Sequence, residues 1–345
     1  MTRGSVFIIA EAGVNHNGSL ERALAMVDVA AEAGADAVKF QTFKAENVAS
    51  ASAARADYQG KNMPGITETQ LEMLKRLELP FDDFRRLKAR ADERSIAFMS
   101  KPSSPDAADA IEDLVNVYKV SSGEVANHPF IRYIAEKNKP IILSTGTATL
   151  DEVAAAVALI EKHQRCTSET FPPLTLLQCT TSYPCPFEDV NLKAMAALKD
   201  TFNLPVGFSD HTLGIEAAIA AAAMGAEIIE KHFTLDKSLP GPDHRASLSP
   251  DELAQMVAGV RNVEKALGDG IKRLMPSEEK NAALVRKSLV AHKAIQRGEE
   301  LTEDNVAIKR PTGGIEPKDF EKILGEKAAR DIARDELITW DDLKQ

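Results

Sequence analysis

Two histidines that follow apolar runs late in the chain have side chains suited to metal binding. His211 ends the run VGFSDH at 206–211, and His232 lies in EIIEKHF at 227–233. Both runs have strand composition, and successive parallel strands bring their carboxyl ends to one edge. Two imidazoles with oxygen ligands suit a borderline divalent ion such as manganese, iron, cobalt or zinc. One such histidine would favour a hydrogen-bonded loop residue, but two on adjacent strand ends favour a metal site.

Lysines and hydroxyls at other strand ends predict an anion site. The candidates are Lys39, Lys101, Lys119, Ser122, Ser144 and Ser209. Each lysine alone is best interpreted as a surface residue at the rim, whereas together they favour convergence on phosphate oxygens. Glu11 ends the first apolar run, where burial requires a partner. That partner is either Lys39 in a salt bridge or a ligand.

Eight strand-like runs must position these residues. They cover 6–13, 37–42, 96–100, 117–122, 141–146, 174–180, 206–211 and 227–233. Helical stretches alternate with them, which predicts a parallel sheet covered on both faces. The count favours an α/β fold of the (β/α)₈ TIM-barrel type, over a doubly wound open sheet as the alternative. No GxGxxG motif follows a strand, which counts against a dinucleotide-binding fold.

Helix starts are predicted by three capping-box patterns. They are Thr67-x-x-Gln70, Thr149-x-x-Glu152 and Ser249-Pro250-x-Glu252, the last opening an eighth barrel helix. After that helix the pattern changes, and a degenerate repeat aligns Ile295, Arg297 and Glu299 with Ile332, Arg334 and Glu336. We therefore predict a barrel over residues 1–268, a linker at 269–283 and a small domain at 284–345.

Composition limits the partners and the location. The net charge of −10 argues against a nucleic-acid partner, because phosphate binding needs a basic face. The chain has no apolar run of 18 residues and no signal-peptide core, so we expect a cytoplasmic protein without a membrane partner. Its three cysteines, Cys166, Cys179 and Cys185, form no CxxC motif and are expected to be small buried residues.

Long motifs spread over nearly the whole chain resemble those of the sialic acid synthases, the N-acetylneuraminate synthase family. They include FIIAEAGVNHNGSL, AVKFQTFKAENV, IILSTGTATLDEV, GFSDHTLG, EKHFTLDKSLPGPDH and IKRPTGGI. The resemblance implies a TIM barrel followed by a small antifreeze-like (SAF) domain. It also implies condensation of phosphoenolpyruvate with N-acetylmannosamine or a related sugar, giving N-acetylneuraminate or a related nonulosonate. Legionaminic acid synthesis from a 2,4-diacetamido-6-deoxy sugar is the alternative.

The resemblance also assigns roles to residues. His211 and His232 would hold the divalent metal, typically manganese. Phosphoenolpyruvate would be bound by Lys39, Lys119, Ser122, Ser144, Thr181 and Ser209. The sugar would face Gln41, Tyr183, Asp243 and Arg310, with Glu124 and Glu11 as the catalytic carboxylates. Arg310 would reach the site of the partner subunit, which implies a homodimer.

The sequence departs from the family pattern in two motifs, and other functions are also compatible with parts of it. Lys101-Pro102-Ser103 replaces the Thr-Pro-Phe of many members, and Thr312-Gly313-Gly314 replaces Gly-Asn-Gly. The intact PGPD at 240–243 favours a sialic or legionaminic substrate over pseudaminic acid chemistry. Rival functions are a heptulosonate- or octulosonate-phosphate synthase, a non-catalytic carbohydrate- or ice-binding protein, and a Schiff-base aldolase. The aldolase would use Lys39, Lys119 or Lys231.

Overall fold

The computed structural model describes residues 5–55, 57–63, 68–168 and 170–343. The chain divides into two compact units, residues 1–268 and residues 269–345. The first unit carries a parallel eight-stranded sheet, and the second carries a two-stranded antiparallel sheet. Each unit is held by its own apolar core.

The strands of the first unit form a TIM barrel. They are β1 (Phe7–Gly13), β2 (Ala37–Thr42), β3 (Ala97–Pro102), β4 (Tyr118–Val120), β5 (Ile141–Ser144), β6 (Leu174–Cys179), β7 (Val206–Asp210) and β8 (Ile228–His232). Hydrogen bonds order them as β3-β2-β1-β8-β7-β6-β5-β4, and β3 also lies beside β4, which brings the sheet round into a barrel. The prediction of a (β/α)₈ barrel is confirmed, and the open-sheet alternative is wrong.

The helices of the first unit lie between or after its strands in the sequence. They are α1 (Leu20–Glu32), α2 (Ala45–Val48), α3 (Asp57–Asn62), α4 (Gln70–Leu77), α5 (Phe81–Glu93), α6 (Pro105–Ala110), α7 (His128–Glu136), α8 (Leu150–His163), α9 (Ala194–Phe202), α10 (Glu216–Ala223) and α11 (Pro250–Leu267). Capping boxes start α8 and α11 at Thr149 and Ser249, as predicted. Helix α4 starts with a box at Thr69 and Glu72, whereas the predicted Thr67 lies outside the described residues.

Two apolar layers hold the barrel together. The larger packs the outward side chains of the strands against the helices, and its members include Ile8 and Phe40 from strands and Met26 and Phe84 from helices. The smaller fills the barrel interior. Its fully buried members are Ile9, Ala37, Met99, Val117, Ile142, Leu177 and Ile228. The interior is therefore a packed floor and not a channel.

The second unit confirms the repeat as a structural one. Helix α12 (Glu279–Val285) precedes strands β9 (Ser288–Ala291) and β10 (Val306–Lys309), and α13 (Phe320–Ile323) follows them. Ile295 and Ile332 exchange backbone hydrogen bonds of 2.9 and 2.8 Å. The carboxylates of Glu299 and Glu336 accept hydrogen bonds from backbone amides at equivalent positions of the two copies. The repeated residues thus build two matching turns on either side of one core.

The cysteines and the hydropathy can be compared with expectation. Cys179 and Cys185 are buried, as predicted, whereas Cys166 is half-buried, and all three are free thiols. Within the described ranges, the helices lack the length and apolar character needed to cross a bilayer.

Candidate active site

A ring of mostly polar side chains lies directly above the apolar floor of the barrel. Each strand contributes one residue two positions beyond its floor residue, because alternate residues of a strand face the same side. We call this set the polar ring; its members are Glu11, Lys39, Lys101, Lys119, Ser144, Cys179, Ser209 and Glu230. On β7 the floor position is Gly207, where a Cβ atom would approach the carbonyl oxygen of Ile228 to 2.4 Å. Glycine is therefore required for β7 to pack this closely against β8.

A cavity of about 430 Å³ opens above the polar ring at the C-terminal ends of the strands. This is the end of a barrel at which chemistry is expected. The predicted site residues that line it are Glu11, Lys39, Gln41, Lys119, Ser122, Ser144, Thr181, Tyr183, Ser209, His211, His232 and Asp243. An apolar wall of Met73, Leu74 and Leu77, from α4, faces them. Residues from all eight strands or their loops therefore share one space.

The buried charges of the polar ring are paired. The Nζ atom of Lys39 lies 2.7 Å from Glu11 Oε2 and 3.6 Å from Glu230 Oε2. The Nζ atom of Lys119 lies 3.4 Å from Glu230 Oε1. The ion pair between Glu11 and Lys39, one of the two alternatives considered from sequence, is thus present. It does not exclude a ligand, because both groups also line the cavity.

Burial and pairing set the charge states of these groups. Burial alone would raise the pKa of Glu230, but Lys119 and Lys39 hold it at about 2. Burial likewise opposes the charge of Lys39, yet Glu11 and Glu230 outweigh it and raise the pKa of the amine. For Lys119 burial prevails over Glu230 and lowers the pKa. Glu230 is therefore an anion that holds two ammonium groups in place.

Two serine hydroxyls extend these pairs. Lys119 Nζ donates a 2.8 Å hydrogen bond to Ser144 Oγ, and Ser209 Oγ donates a 3.0 Å bond to Glu230 Oε1. Both hydroxyls are buried and line the cavity. An anion entering here would meet ammonium and hydroxyl donors together, which suits phosphate oxygens.

Ser122 reaches the cavity because β4 ends early. The strand stops at Val120, two residues before the end of the predicted strand, and a 3₁₀ turn follows over Ser122–Glu124. Ser122 Oγ then accepts a 2.9 Å hydrogen bond from the backbone N–H of Gly146. A Cβ atom at Gly146 would lie 2.4 Å from Thr181 Oγ1 and 2.9 Å from Ser122 Oγ. Glycine at 146 therefore allows these two hydroxyls to converge.

The two predicted metal ligands lie together above the ring. The rings of His211 and His232 have centroids 5.4 Å apart, and Tyr183 packs against them at 4.1 and 5.6 Å. His211 Nδ1 lies 2.8 Å from the carbonyl oxygen of Thr180. A carbonyl only accepts, so Nδ1 is the donor, and in the neutral imidazole Nε2 carries the lone pair. Burial, followed by the neighbouring His211, lowers the pKa of His232 well below its usual value, so this imidazole is neutral at pH 7.

These residues fit a divalent metal. Among the described residues, His232 Nδ1 is buried without a hydrogen-bond partner. A Cβ atom at Gly13 would lie only 3.3–3.4 Å from Glu11, Gln41 and His232, so glycine keeps this space open. Within the described residues, no group of three or more His, Cys, Asp or Glu side chains is placed to hold a metal ion. The protein would thus supply two imidazoles, leaving other positions for water or substrate oxygens.

Two predicted site residues lie elsewhere. Glu124 is half-buried in the 3₁₀ turn, does not line the cavity, and accepts a 2.7 Å hydrogen bond from Asn127 Nδ2. Arg310 lies in the second unit and is exposed. The cavity is therefore lined by the other predicted site residues and not by these two.

The sequence-based site set omits Glu230 and Cys179, two members of the polar ring, whereas Lys101, a candidate for the anion site, lies in the ring. The signal that would find the two omitted residues is their spacing of two residues from the floor positions Ile228 and Leu177. Lys231, a rival candidate for Schiff-base chemistry, lies outside the cavity lining and pairs with Asp210.

Comparison with known proteins identifies the family. A sequence model of the NeuB family matches residues 26–272, and one of the SAF domain matches residues 286–344. This chain belongs to the NeuB family. The expected resemblance to the sialic acid synthases and the expected SAF domain are both confirmed.

Several relatives of this NeuB-family chain are named synthases. It is 48% identical to N,N'-diacetyllegionaminic acid synthase of Campylobacter jejuni, over 96% of this chain and 98% of that one. It is 42% identical to the protein of the same name in Legionella pneumophila, over 98% and 94%. A solved structure of N-acetylneuraminic acid synthetase from Leptospira borgpetersenii, in complex with citrate, superposes with a TM-score of 0.68 at 35% identity. It covers 80% of this chain and 90% of that one. The chain is therefore an enzyme of the synthase type.

Proposed function

We propose that this enzyme condenses phosphoenolpyruvate with an N-acylated mannosamine-type sugar and water, forming a nine-carbon 2-keto acid and phosphate. One observation carries the proposal: two buried ammonium groups and two imidazoles face the same cavity. The lysines suit an anion, and the imidazoles suit a metal that binds a sugar oxygen. The two substrates would thus meet with their reacting carbons between these groups.

Phosphoenolpyruvate would bind against the polar ring. Lys39 and Lys119 would contact its anionic groups, and Ser144 and Ser209 would donate hydroxyl hydrogen bonds. Ser122 and Thr181 lie beside each other at Gly146 and extend the donor set. Both lysines lie against Glu11 and Glu230, so their ammonium groups are positioned to receive an anion.

The sugar would occupy the layer above. Gln41 Nε2 lies 3.4 Å from Glu11 Oε1, and Tyr183 packs on both imidazoles. These groups and Asp243 would bind and orient the hydroxyls and the N-acyl group. A divalent cation held by His211 and His232, manganese being the family's typical metal, supplies Lewis-acid polarisation of the aldehyde when bound.

Two carboxyl groups are candidates for proton transfer. Burial raises the pKa of Glu11 despite the opposing charge of Lys39, so its carboxyl would accept a proton readily once Lys39 turns to an anion. Glu124 begins outside the cavity lining, hydrogen-bonded to Asn127. It would handle a proton or stabilise developing positive charge at the enol carbon. Water would add at that carbon, and the C–O bond to phosphate would break.

Of the two sugars considered, we place the 2,4-diacetamido-6-deoxy sugar first and N-acetylmannosamine second. The sequence alone favoured the reverse order. Relatives at 48% and 42% identity are named diacetyllegionaminic acid synthases. The apolar wall of Met73, Leu74 and Leu77 also suits a methyl group better than a hydroxymethyl group.

The active enzyme would be a homodimer. The support is the KRP motif of the family together with the exposure of Arg310. Arg310 of the partner subunit would hold the N-acyl oxygen of the sugar. A guanidinium group suits this task because it remains charged and presents several donors.

Phosphate release from phosphoenolpyruvate, with manganese and each sugar in turn, tests the proposal. Release should require a sugar, stop after EDTA treatment, and be at least about tenfold more efficient in kcat/KM with the diacetamido sugar. Lys119→Met should abolish it, whereas Lys75→Met, which removes an exposed lysine paired with Glu46, should not. Release without sugar, or covalent labelling by pyruvate and borohydride, would contradict it.

A further inference from the structure

Lys101 stands in the polar ring although it replaces a residue of the usual family motif. Lys101 of β3 pairs in register with Gln41 of β2. Two residues earlier on the same strand, Met99 pairs with Lys39. Met99 belongs to the apolar floor, so Lys101 faces inward one layer above it. Ser100, between them, faces outward, where its hydroxyl lies 2.7 Å from that of Thr42. The ammonium group of Lys101 therefore lines the cavity by strand geometry and not as a surface residue.

Lysines thus come from three successive strands of the barrel. β2 contributes Lys39, β3 contributes Lys101 and β4 contributes Lys119. Lys39 and Lys119 are balanced by direct contacts with Glu11 and Glu230. The four groups together carry no net charge when all are ionised.

Lys101 is different in this respect. Its Nζ donates a 2.7 Å hydrogen bond to Ser103 Oγ, a neutral group. Among the described residues, no carboxylate oxygen lies within the 4.0 Å of an ion pair from it. The remaining carboxyl of the cavity, Asp243, has its pKa raised to about 6 by burial and forms no ion pair with Lys101. Within the described part of the chain, Lys101 is therefore the ammonium group of the ring that has no carboxylate partner.

We propose that Lys101 binds the phosphoenolpyruvate anion directly, as the third ammonium group of its site. The inference rests on the proposed use of phosphoenolpyruvate. That substrate carries about two negative charges on its phosphate and one on its carboxylate. Two lysines already matched by carboxylates leave this charge largely uncompensated in a buried site, which is costly. A cation without its own carboxylate partner supplies the missing complement.

Other observations agree with this assignment. Burial, followed by the nearby Lys39, lowers the pKa of Lys101 to about 8. The amine is mostly charged at pH 7, although burial and Lys39 both disfavour that charge. A bound anion would offset both effects. The hydroxyl of Ser103 is a weak partner that an anionic oxygen would readily replace.

Direct binding of phosphoenolpyruvate to the sugar-free enzyme, followed by isothermal titration calorimetry, tests the inference. Lys101→Gln should weaken binding by about 10- to 100-fold, the usual value of a charge-assisted hydrogen bond. Its salt dependence should also become shallower. Lys44→Gln is the matched control, because Lys44 pairs with Glu78 and does not line the cavity. That control should bind as the wild type does.

The outcomes separate this inference from the proposed function. Binding to the wild type with equal binding to Lys101→Gln would overturn the role of Lys101 and leave the function intact. A rise in KM for the sugar alone would also overturn it, placing the amine at the sugar. Failure of the wild type to bind phosphoenolpyruvate at all would overturn both.

Discussion

Asp210 and Lys231 form a fully buried ion pair directly behind the two histidines of the site. Lys231 Nζ lies 2.6 Å from Asp210 Oδ2, and both side chains have no solvent exposure. The amine also donates a 2.8 Å hydrogen bond to the carbonyl oxygen of Thr212, whose N–H donates to Asp210 Oδ1. Because His211 and His232 face inward, this pair faces the helices. It therefore joins β7 to β8 at the point where their imidazoles must be held together.

Replacing Lys231 should destabilise the protein strongly. Lys231→Met leaves Asp210 buried without its cation, which costs about 3–5 kcal/mol in the free energy of unfolding. Urea unfolding followed by far-ultraviolet circular dichroism measures the change. Lys75→Met, at an exposed ion pair, should cost less than about 1 kcal/mol. Equal stability of the two variants would show that the buried pair does not clamp the strands.

Metal affinity should depend on His211 and not on surface histidines. His211→Ala removes one of two imidazoles and should weaken manganese binding by at least about 100-fold, as judged by the electron paramagnetic resonance of free manganese. His163→Ala is the control, since His163 lies on α8 beside Glu136. Unchanged affinity in His211→Ala would place the metal elsewhere.

The stability of the metal-free enzyme should fall with rising pH because of Asp243. Burial raises the pKa of this carboxyl from 3.8 to about 6 in the folded protein. As the pH rises, Asp243 therefore loses its proton at a lower pH in the unfolded chain than in the folded protein. Its contribution to the free energy of unfolding is complete below pH 3.8 and is lost as the pH rises through 6. Asp243→Asn should gain up to about 3 kcal/mol relative to the wild type between pH 4 and pH 8. A constant difference between the two proteins over that range would contradict this burial effect.

Glu124 can be tested as a catalytic group by kinetics. Glu124→Gln should lower kcat by at least about 100-fold with much smaller changes in either KM, because the neutral amide keeps the shape but not the charge. Asn127→Ala removes the hydrogen-bond partner of Glu124 and serves as the comparison. Near-normal turnover of Glu124→Gln would exclude a role in proton transfer or charge stabilisation.

Much of the site follows from strand alternation, which the sequence carries. Lys39 with Gln41 and Ser209 with His211 are separated by two residues, so each pair faces the same side once the strand is recognised. The same spacing places Glu230 with His232. The barrel follows from eight such runs alternating with helices.

Other features depend on how the strands pair and where they end. The ion pair of Asp210 with Lys231 requires the register between β7 and β8, in which these residues are partners. The position of Ser122 and Glu124 depends on β4 ending at Val120 and turning, and element boundaries are poorly encoded locally. The inward orientation of Lys101 follows from its spacing of two residues from Met99, and the place of Met99 in the floor depends on the other strands of the barrel.

The fate of the bridging oxygen of phosphoenolpyruvate tests the central claim most directly. The substrate is labelled with ¹⁸O between carbon and phosphorus, and phosphate and 2-keto acid are analysed by mass spectrometry after reaction with the sugar. Water addition followed by C–O cleavage predicts that the label stays in phosphate and that the keto oxygen comes from solvent. Label retained in the keto acid would mean P–O cleavage and would contradict the proposed condensation.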